Sequence, residues 1–195
     1  MSSLTANAAQ RSFRIKLVLL FLAFAAPVIF AYLAYYVWPP QSRINYGELI
    51  KPTEIPDPML RDAEGKEFPL SKLRGKWVML TVDQAECDAT CEKKLWLLRQ
   101  VRLATGKNMD RVERVLLLRG QGSVTEHIRK QHPGLRVLTG ADAGLLESFP
   151  AEGNLLDHIY IVDPLGNVMM RYPKTPDPSG ILKDINRLMY VSQVG

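Results

Sequence analysis

An uncharged run of 22 residues, LVLLFLAFAAPVIFAYLAYYVW, constrains this chain more than any other feature of its sequence; it extends from Leu17 to Trp38. A helix rises about 1.5 Å per residue, so the run is long enough to cross a hydrocarbon core about 30 Å thick. Three tyrosines and Trp38 gather at its far end, as in the aromatic belt of a membrane interface. The sequence therefore predicts one transmembrane anchor over residues 17–38.

The charges around this run predict its orientation. Arg11, Arg14 and Lys16 precede it, and no acidic residue occurs before Glu48. Since positive charge is retained on the cytoplasmic side, residues 1–16 are expected in the cytoplasm. We therefore expect the rest of the chain to be exported, which in a Gram-negative cell places it in the periplasm.

A cleaved signal peptide is the alternative to an anchor. The sequence Ala23-Phe24-Ala25 resembles a cleavage site, but only six apolar residues, Leu17–Leu22, precede it. The hydrophobic segment of a signal peptide usually has about 7–15 residues, and here the apolar run continues well beyond the candidate site. We therefore expect an uncleaved single-pass anchor in the inner membrane.

The charge balance argues against a nucleic-acid partner. The chain has a net charge of +5, and without the three basic residues before the anchor it retains 22 basic and 20 acidic residues. It also has no basic stripe with interleaved aromatic residues, which is the usual signature of nucleic-acid binding. The partners to be sought are therefore proteins, the membrane and small ligands.

The segment after the anchor predicts a tether and then one folded domain. Five prolines occur over residues 39–58, which is typical of an extended tether, and the domain is expected over residues 59–195. Its patterns run in the order hairpin, strand, helix, strand, helix, hairpin, helix. Trp77–Val82 is a continuous apolar run typical of a strand buried on both faces. This order predicts an α/β fold, a thioredoxin-like sandwich.

The two cysteines of the chain, Cys87 and Cys91, lie in the sequence ECDATC directly after that buried strand. Cys91 is expected at or near the start of the next helix, where free N–H groups and the helix dipole favour a thiolate. Positions i and i+4 share one face of a helix, so both sulfurs are expected to point at one object. That object is either the other sulfur or a single ion.

Three uses of this pair are open. A structural disulfide would close a loop of few residues and contribute little chain entropy. A metal site needs a further ligand, since two thiolates are too few for structural zinc. Two thiolates and an imidazole suit Cu(I), and also accommodate Cu(II). Among the histidines, His127 and His132 lie in a charged helix and its exit and are expected in solvent, whereas His158 begins the strand HIYIV beside the cysteine segment.

The ordered motifs resemble the Sco (SenC/PrrC) family of membrane-tethered, thioredoxin-like assembly proteins of cytochrome c oxidase. The resemblance covers roughly residues 55–190 and is carried by these stretches: DAEGKEFPLSKLRGKWVMLTV, CxxxC, DRVERVLLLRG, LRVLTG and DHIYIVDPLGNVMMRYP. It implies that Cys87, Cys91 and His158 bind copper and that the cysteines also exchange disulfides. The chain departs from the pattern at Asp88 and Glu92, where the family usually has proline, in RGQGSV after the middle strand, and at His158, which stands three residues nearer its turn.

The resemblance implies a membrane-anchored assembly factor that carries Cu(I) on Cys87, Cys91 and His158. It would deliver the metal to the copper-bearing subunit of cytochrome c oxidase, or prepare that site, or serve another copper or thiol assembly protein. The first alternative is a thiol–disulfide oxidoreductase without metal, in which Cys87 attacks and Cys91 resolves. The second alternative is a non-catalytic interaction domain with an incidental disulfide.

Overall fold

A computed structural model describes residues 2–37 and 45–192, which fall into two compact units, Met1–Ile44 and Asn45–Gly195. In the first unit a single helix, α1, extends from Ser2 to Val37, and its apolar part, Phe13–Val37, is long enough to cross a membrane. This apolar helix is a candidate membrane span, as the sequence predicted, although α1 begins well before residue 17. Trp38, the last residue of the predicted anchor, lies outside the described residues.

The second unit is a mixed α/β domain that contains the cysteines. Its strands are β1 Glu48–Glu54, β2 Met59–Arg61, β3 Glu67–Pro69, β4 Trp77–Asp83, β5 Val112–Arg119, β6 Leu135–Ala141, β7 Ile159–Val162 and β8 Asn167–Tyr172. Its α-helices are α2 Ala89–Ala104, α3 Glu126–Gln131, α4 Ala143–Glu147 and α5 Pro178–Val191. Short 3-10 turns occur at Leu70–Leu73, Gly106–Arg111 and Leu155–Asp157.

The strands form one sheet in the order β1-β8-β7-β4-β5-β6-β2-β3. The central strands β4, β5 and β6 are parallel, whereas β7 and β8 form an antiparallel hairpin beside β4. Every residue of β4 is buried, because apolar residues cover both faces of the sheet at this strand. This mixed sheet is the thioredoxin-like sandwich that the alternation of elements predicted.

The start of the domain differs from the sequence-based expectation. Residues 48–54, expected within the tether, form strand β1, which pairs antiparallel with β8. Pro52 is compatible with this strand because β1 lies at the sheet edge and its pairing with β8 is irregular between Leu49 and Thr53. The folded unit therefore begins at Asn45 and not at residue 59, and only residues 39–44 of the expected tether lie outside the described residues.

Two contacts anchor the beginning of the domain near its closing helix. The Asp184 carboxylate accepts hydrogen bonds from the backbone N–H groups of Tyr46 at 3.0 Å and Gly47 at 2.7 Å. The Tyr46 ring stacks on the ring of Tyr172, the last residue of β8, with 6.0 Å between the ring centroids. Residues 45–47 are thereby held at the carboxyl end of β8. His158, a residue of the candidate site, contacts the same end of this strand.

Candidate functional site

The cysteine segment joins the carboxyl end of β4 to the amino end of α2. Cys87 and Cys91 form a disulfide, with 5.1 Å between their Cα atoms. Cys91 lies in the first turn of α2, as the sequence predicted, and Cys87 lies just before the helix. Cys87 has a φ of +38°, and it is the only non-glycine residue with positive φ among those described. The backbone turns sharply here so that both sulfurs meet.

The disulfide is largely shielded from solvent. Cys87 is 6% exposed and Cys91 is fully buried, so Cys87 is the sulfur nearer the surface. Both pack in a cluster with Val124 and Ile128, which belong to the loop after β5 and to α3. That loop approaches the cysteine segment closely at Gly122, where a Cβ atom would lie 2.7 Å from the Cβ of Ala85. A partner's sulfur therefore has its most direct approach at Cys87.

Asp88, which follows Cys87, is the N-cap residue of α2. Its side-chain Oδ1 accepts hydrogen bonds from the backbone N–H groups of Thr90 and Cys91, both at 2.9 Å. A thiolate at the start of a helix would otherwise accept hydrogen bonds from these N–H groups. The Asp88 carboxylate therefore occupies the hydrogen-bond donors at the amino end of α2.

His158 lies just before β7, and its ring is held by two backbone carbonyl groups. Nδ1 lies 3.0 Å from the carbonyl oxygen of Tyr172, and Nε2 lies 3.1 Å from the carbonyl oxygen of Glu152. The His158 carbonyl oxygen also accepts a hydrogen bond from the Thr81 hydroxyl on β4. Because both ring nitrogens face acceptors, neither presents a lone pair toward a metal in this arrangement.

The copper ligand set that the resemblance implied is therefore only partly assembled. Cys87 and Cys91 are together, as an oxidised pair, and His158 is engaged elsewhere. Within residues 2–37 and 45–192, no group of three or more His, Cys, Asp or Glu side chains is placed to hold a metal ion. The residues present fit a sulfur–sulfur pair, and a three-ligand copper site would require both reduction of the disulfide and release of the His158 ring.

A buried ion pair beside the site was missed by the sequence analysis. Lys94 on α2 is almost fully buried, and its Nζ lies 2.7 Å from Oδ2 of Asp83 at the end of β4. The same Nζ donates a hydrogen bond to the carbonyl oxygen of Leu156, just before His158. Lys94 thus links β4, α2 and the segment before β7. The signal available in sequence was a lysine directly before Leu95, Leu97 and Leu98 on the buried side of an amphipathic helix.

The other two histidines have different environments. His127 is exposed on α3, as expected. His132 was expected in solvent as well, and this was wrong: it is buried at the end of α3, because the chain turns inward there to enter β6.

The fold and the site define a thioredoxin-like domain with a cysteine pair at the start of its first long helix, preceded in the chain by a candidate membrane span. The model of the family described as "Transmembrane-like, thioredoxin-like, C-terminal domain" matches residues 77–192, and the chain belongs to that family. No curated protein matches the chain by sequence.

Solved structures of Sco proteins share this fold. Yeast Sco1 with copper bound is 19% identical, with a TM-score of 0.61 over 73% of this chain and 96% of that chain. Copper-bound ScoI from Bradyrhizobium japonicum is 20% identical, with a TM-score of 0.54 over 69% and 99% of the two chains. A SCO1/SenC family lipoprotein from Bacillus anthracis is 16% identical, with a TM-score of 0.55 over 73% and 99%. At these identities the matches confirm the resemblance at the level of the fold.

Proposed function

We propose that this protein is a membrane-tethered thiol–disulfide oxidoreductase and that Cys87 and Cys91 are its redox pair. The observation that carries the proposal is the disulfide at the amino end of α2, with its more accessible sulfur on Cys87. In α/β folds, ligands and substrates meet the sheet at the carboxyl ends of its parallel strands, and the pair lies at the end of β4. The arrangement of His158 favours chemistry on sulfur alone.

The exchange proceeds through a mixed disulfide. In the reduced protein, the Cys87 thiolate attacks a partner disulfide, one partner sulfur leaves as a thiolate, and a Cys87–partner disulfide forms. The Cys91 thiolate then attacks the Cys87 sulfur, so the second partner sulfur leaves and the Cys87–Cys91 disulfide closes. Two electrons pass to the partner. A dithiol protein must then reduce the Cys87–Cys91 bond for another cycle.

The environment of Asp88 favours electron donation over oxidation. A strong disulfide oxidant has a stabilised reduced form. Here the first N–H groups of α2 are already bonded to the Asp88 carboxylate, and that negative charge lies next to Cys87 in the chain. Both features destabilise a Cys87 thiolate relative to the disulfide. The pair is therefore expected to reduce a partner's disulfide and to end in the oxidised state.

The test is the reduction potential of the full-length chain in detergent, measured by equilibration with thiol buffers. We expect a potential less negative than about −300 mV, the region below which structural disulfides lie. The Cys91→Ser variant is expected to accumulate a mixed disulfide with a small peptide disulfide, whereas Cys87→Ser is not. A potential in the structural range, or equal trapping by both variants, contradicts the proposal.

Copper delivery is the second candidate, and the fold shared with copper-bound Sco1 and ScoI structures favours it. In this candidate the reduced Cys87 and Cys91 hold Cu(I), which thiolates prefer, as cargo for the copper-bearing subunit of cytochrome c oxidase or for another copper assembly protein. Transfer would occur by ligand exchange, with a thiolate of the acceptor replacing a ligand. His158 would join the site after leaving the carbonyl groups of Tyr172 and Glu152.

Anaerobic competition with a Cu(I) chelator distinguishes the two candidates. Uptake of one Cu(I) by the reduced chain, with weaker affinity in His158→Ala, supports copper delivery through three ligands. If the chain takes up no Cu(I) and its reduction potential is less negative than about −300 mV, only the oxidoreductase candidate remains. If Cys87→Ser/Cys91→Ser supports cytochrome c oxidase assembly as well as the wild type does, the cysteines have no role in that assembly, and a non-catalytic interaction domain remains as its explanation.

The position of the domain in the cell is part of the proposal. Arg11, Arg14 and Lys16 precede the uncharged run that begins at Leu17, and under the positive-inside rule this supports residues 1–16 in the cytoplasm and the cysteine domain in the periplasm. An exported domain meets an environment in which disulfides form. Reaction of Cys87 or Cys91 in the reduced chain with a membrane-impermeant thiol reagent in spheroplasts, after a permeant reductant has been washed out, tests this orientation. Labelling that requires lysis contradicts it.

A further inference from the structure

The side chain of Arg114 lies on the face of β5 that packs against α2, well away from solvent. Arg114 is 2% exposed, and only one of its three guanidinium nitrogens has a partner: Nη2 donates to the carbonyl oxygen of Pro133 at 2.5 Å. Nε and Nη1 are buried with no hydrogen-bond partner. A guanidinium stays protonated in proteins and has five N–H donors. Arg114 is therefore a buried positive charge with unmatched donors.

A second unmatched nitrogen belongs to His132, which precedes Pro133. His132 is 5% exposed, and its Nδ1 is buried with no hydrogen-bond partner. Arg99 on α2 borders the same seam, where its Nη1 donates to the carbonyl oxygen of Gln131 at 3.1 Å. The seam between α2, the end of α3 and β5 thus brings together two guanidinium groups and an imidazole.

Positive charge outweighs negative charge in this seam. The pKa of Arg114 is lowered to about 10, first by burial and then by the charges of Arg102 and Arg99, and Glu113 offsets this only in part. Glu113 is itself paired with Arg136 at 3.5 Å. The pKa of His132 is also lowered, by burial and then by Arg114 and Arg99. An unpaired buried charge is costly, and an anion that accepts its hydrogen bonds removes most of that cost.

We propose that Arg114 and His132, with Arg99 beside them, form a binding site for a small oxyanion such as inorganic phosphate, sulfate or a carboxylate. Oxygen acceptors of such an anion match the free donors on Arg114 Nε and Nη1, and charge-assisted bonds of this kind are among the stronger hydrogen bonds in proteins. Gly134 separates the seam from the surface: a Cβ there would lie 3.5 Å from Arg114 Nη2. Gly134 and His132 also line a surface pocket of about 180 Å³; Arg114 does not line this pocket but lies directly behind Gly134.

This site is independent of the disulfide and of either candidate function. The hydrogen bonds of Arg114 and Arg99 go to the carbonyl oxygen atoms of Pro133 and Gln131, and neither arginine bonds to Cys87 or Cys91. The shared chemistry of its ligands is a compact anion with oxygen acceptors. Parallel titrations with phosphate, sulfate and acetate distinguish the two possible ligands, a free inorganic ion and the carboxylate of a small organic acid.

The experiment uses the full-length chain in detergent and titrates sodium phosphate at constant ionic strength. We expect saturable binding near one phosphate per chain by calorimetry and a saturable rise in Tm. Arg114→Met is expected to weaken binding at least about tenfold, because it removes charge-assisted hydrogen bonds. Arg136→Met, which removes a surface arginine of the same pocket that is paired with Glu113, is the matched control and should bind almost as the wild type does.

Two results overturn the proposal. The first is the absence of saturable binding of phosphate, sulfate and acetate by the wild type, a measurement that does not depend on how any variant folds. The second is a rise in Tm that does not saturate and is equal in the wild type and Arg114→Met, which is the general effect of excluded salts. His132→Gln provides a further variant that keeps Arg114, and we expect weaker phosphate binding in it than in His127→Gln, whose side chain is exposed.

Discussion

The side-chain carboxylate of Asp88 lies 2.9 Å from the backbone nitrogen of Cys91, so the disulfide is held beside an occupied helix cap. We expect Asp88→Ala to make the reduction potential of the Cys87–Cys91 pair less negative. The substitution removes a negative charge and frees the N–H groups of Thr90 and Cys91 for a thiolate. It should also cost about 1 kcal/mol of stability through loss of the cap. Equilibration with thiol buffers and urea unfolding measure the two effects.

Two variants separate charge from capping. Asn is about as good an N-cap as Asp, so Asp88→Asn should keep the stability and still shift the potential in the same direction. Asp142→Ala removes the cap of α4, where Asp142 Oδ1 accepts from the Leu145 N–H at 2.8 Å, and should lower stability without changing the potential. An unchanged potential in both Asp88 variants contradicts a role for Asp88 in setting the redox behaviour.

The buried pair of Lys94 and Asp83 is expected to be important for stability. Lys94→Met should destabilise the fold by about 3–5 kcal/mol, because it leaves the Asp83 carboxylate buried without its partner. The double variant Lys94→Met/Asp83→Asn should recover a large part of this loss, since no unpaired charge then remains. Urea unfolding of the full-length chain in detergent provides the measurement.

An exposed ion pair is the control for this cycle. Lys130 Nζ lies 3.0 Å from Glu126 Oε1 on the surface of α3, so Lys130→Met should change stability by less than about 1 kcal/mol. Equal losses of stability in Lys94→Met and Lys130→Met would mean that the buried Lys94–Asp83 pair contributes no more to stability than an exposed pair does.

Much of this fold was predictable from the sequence, because it follows from local patterns. The apolar run of β4 and the position of Cys91 at the start of the following helix each specify an element within a few residues. Strand β1 was missed since its residues are mostly exposed and contain Pro52, so its identity depends on pairing with β8. Only the folded sheet provides that partner.

The candidate site shows the same limit. Cys87 and Cys91 were predicted to point at one object, either the other sulfur or a single ion, because their spacing spans about one helical turn; in the structure they form a disulfide. The partners of His158 were not predictable, since Tyr172 and Glu152 hold its ring through backbone carbonyl groups, which leave no pattern in side-chain identity. Lys94 was missed because a lysine in a helix is usually solvated, and here its burial depends on Asp83 from another element.

Gly122 is expected to control access to the disulfide. It has a φ of +135°, and a Cβ there would lie 2.7 Å from the Ala85 Cβ. Gly122→Ala should therefore destabilise the fold by about 1–3 kcal/mol and displace the loop from the cysteine segment. We expect the reduced Cys87 of this variant to react faster with a thiol alkylating reagent than that of the wild type.

Gly65→Ala is the control for backbone strain alone. Gly65 also has positive φ, at +77°, but no atom lies within 4 Å of a Cβ placed there. This variant should lose stability while Cys87 keeps its wild-type alkylation rate. If both glycine variants accelerate alkylation equally, the effect reflects general destabilisation and not the contact between Gly122 and Ala85.

The burial of His132 predicts a loss of stability in acid. Its pKa in the folded protein is lowered from the ordinary 6.5, first by burial and then by Arg114 and Arg99. As the pH falls below about 6.5, the unfolded chain binds this proton before the folded chain does, so the free energy of unfolding decreases. Urea unfolding between pH 7.5 and about pH 5, in a buffer without phosphate, sulfate or carboxylate, should show this decrease. His132→Gln should reduce the slope, whereas His127→Gln, which removes an exposed histidine on α3, should leave it unchanged. Equal slopes in the wild type and His132→Gln would show that His132 titrates alike in the folded and unfolded chains.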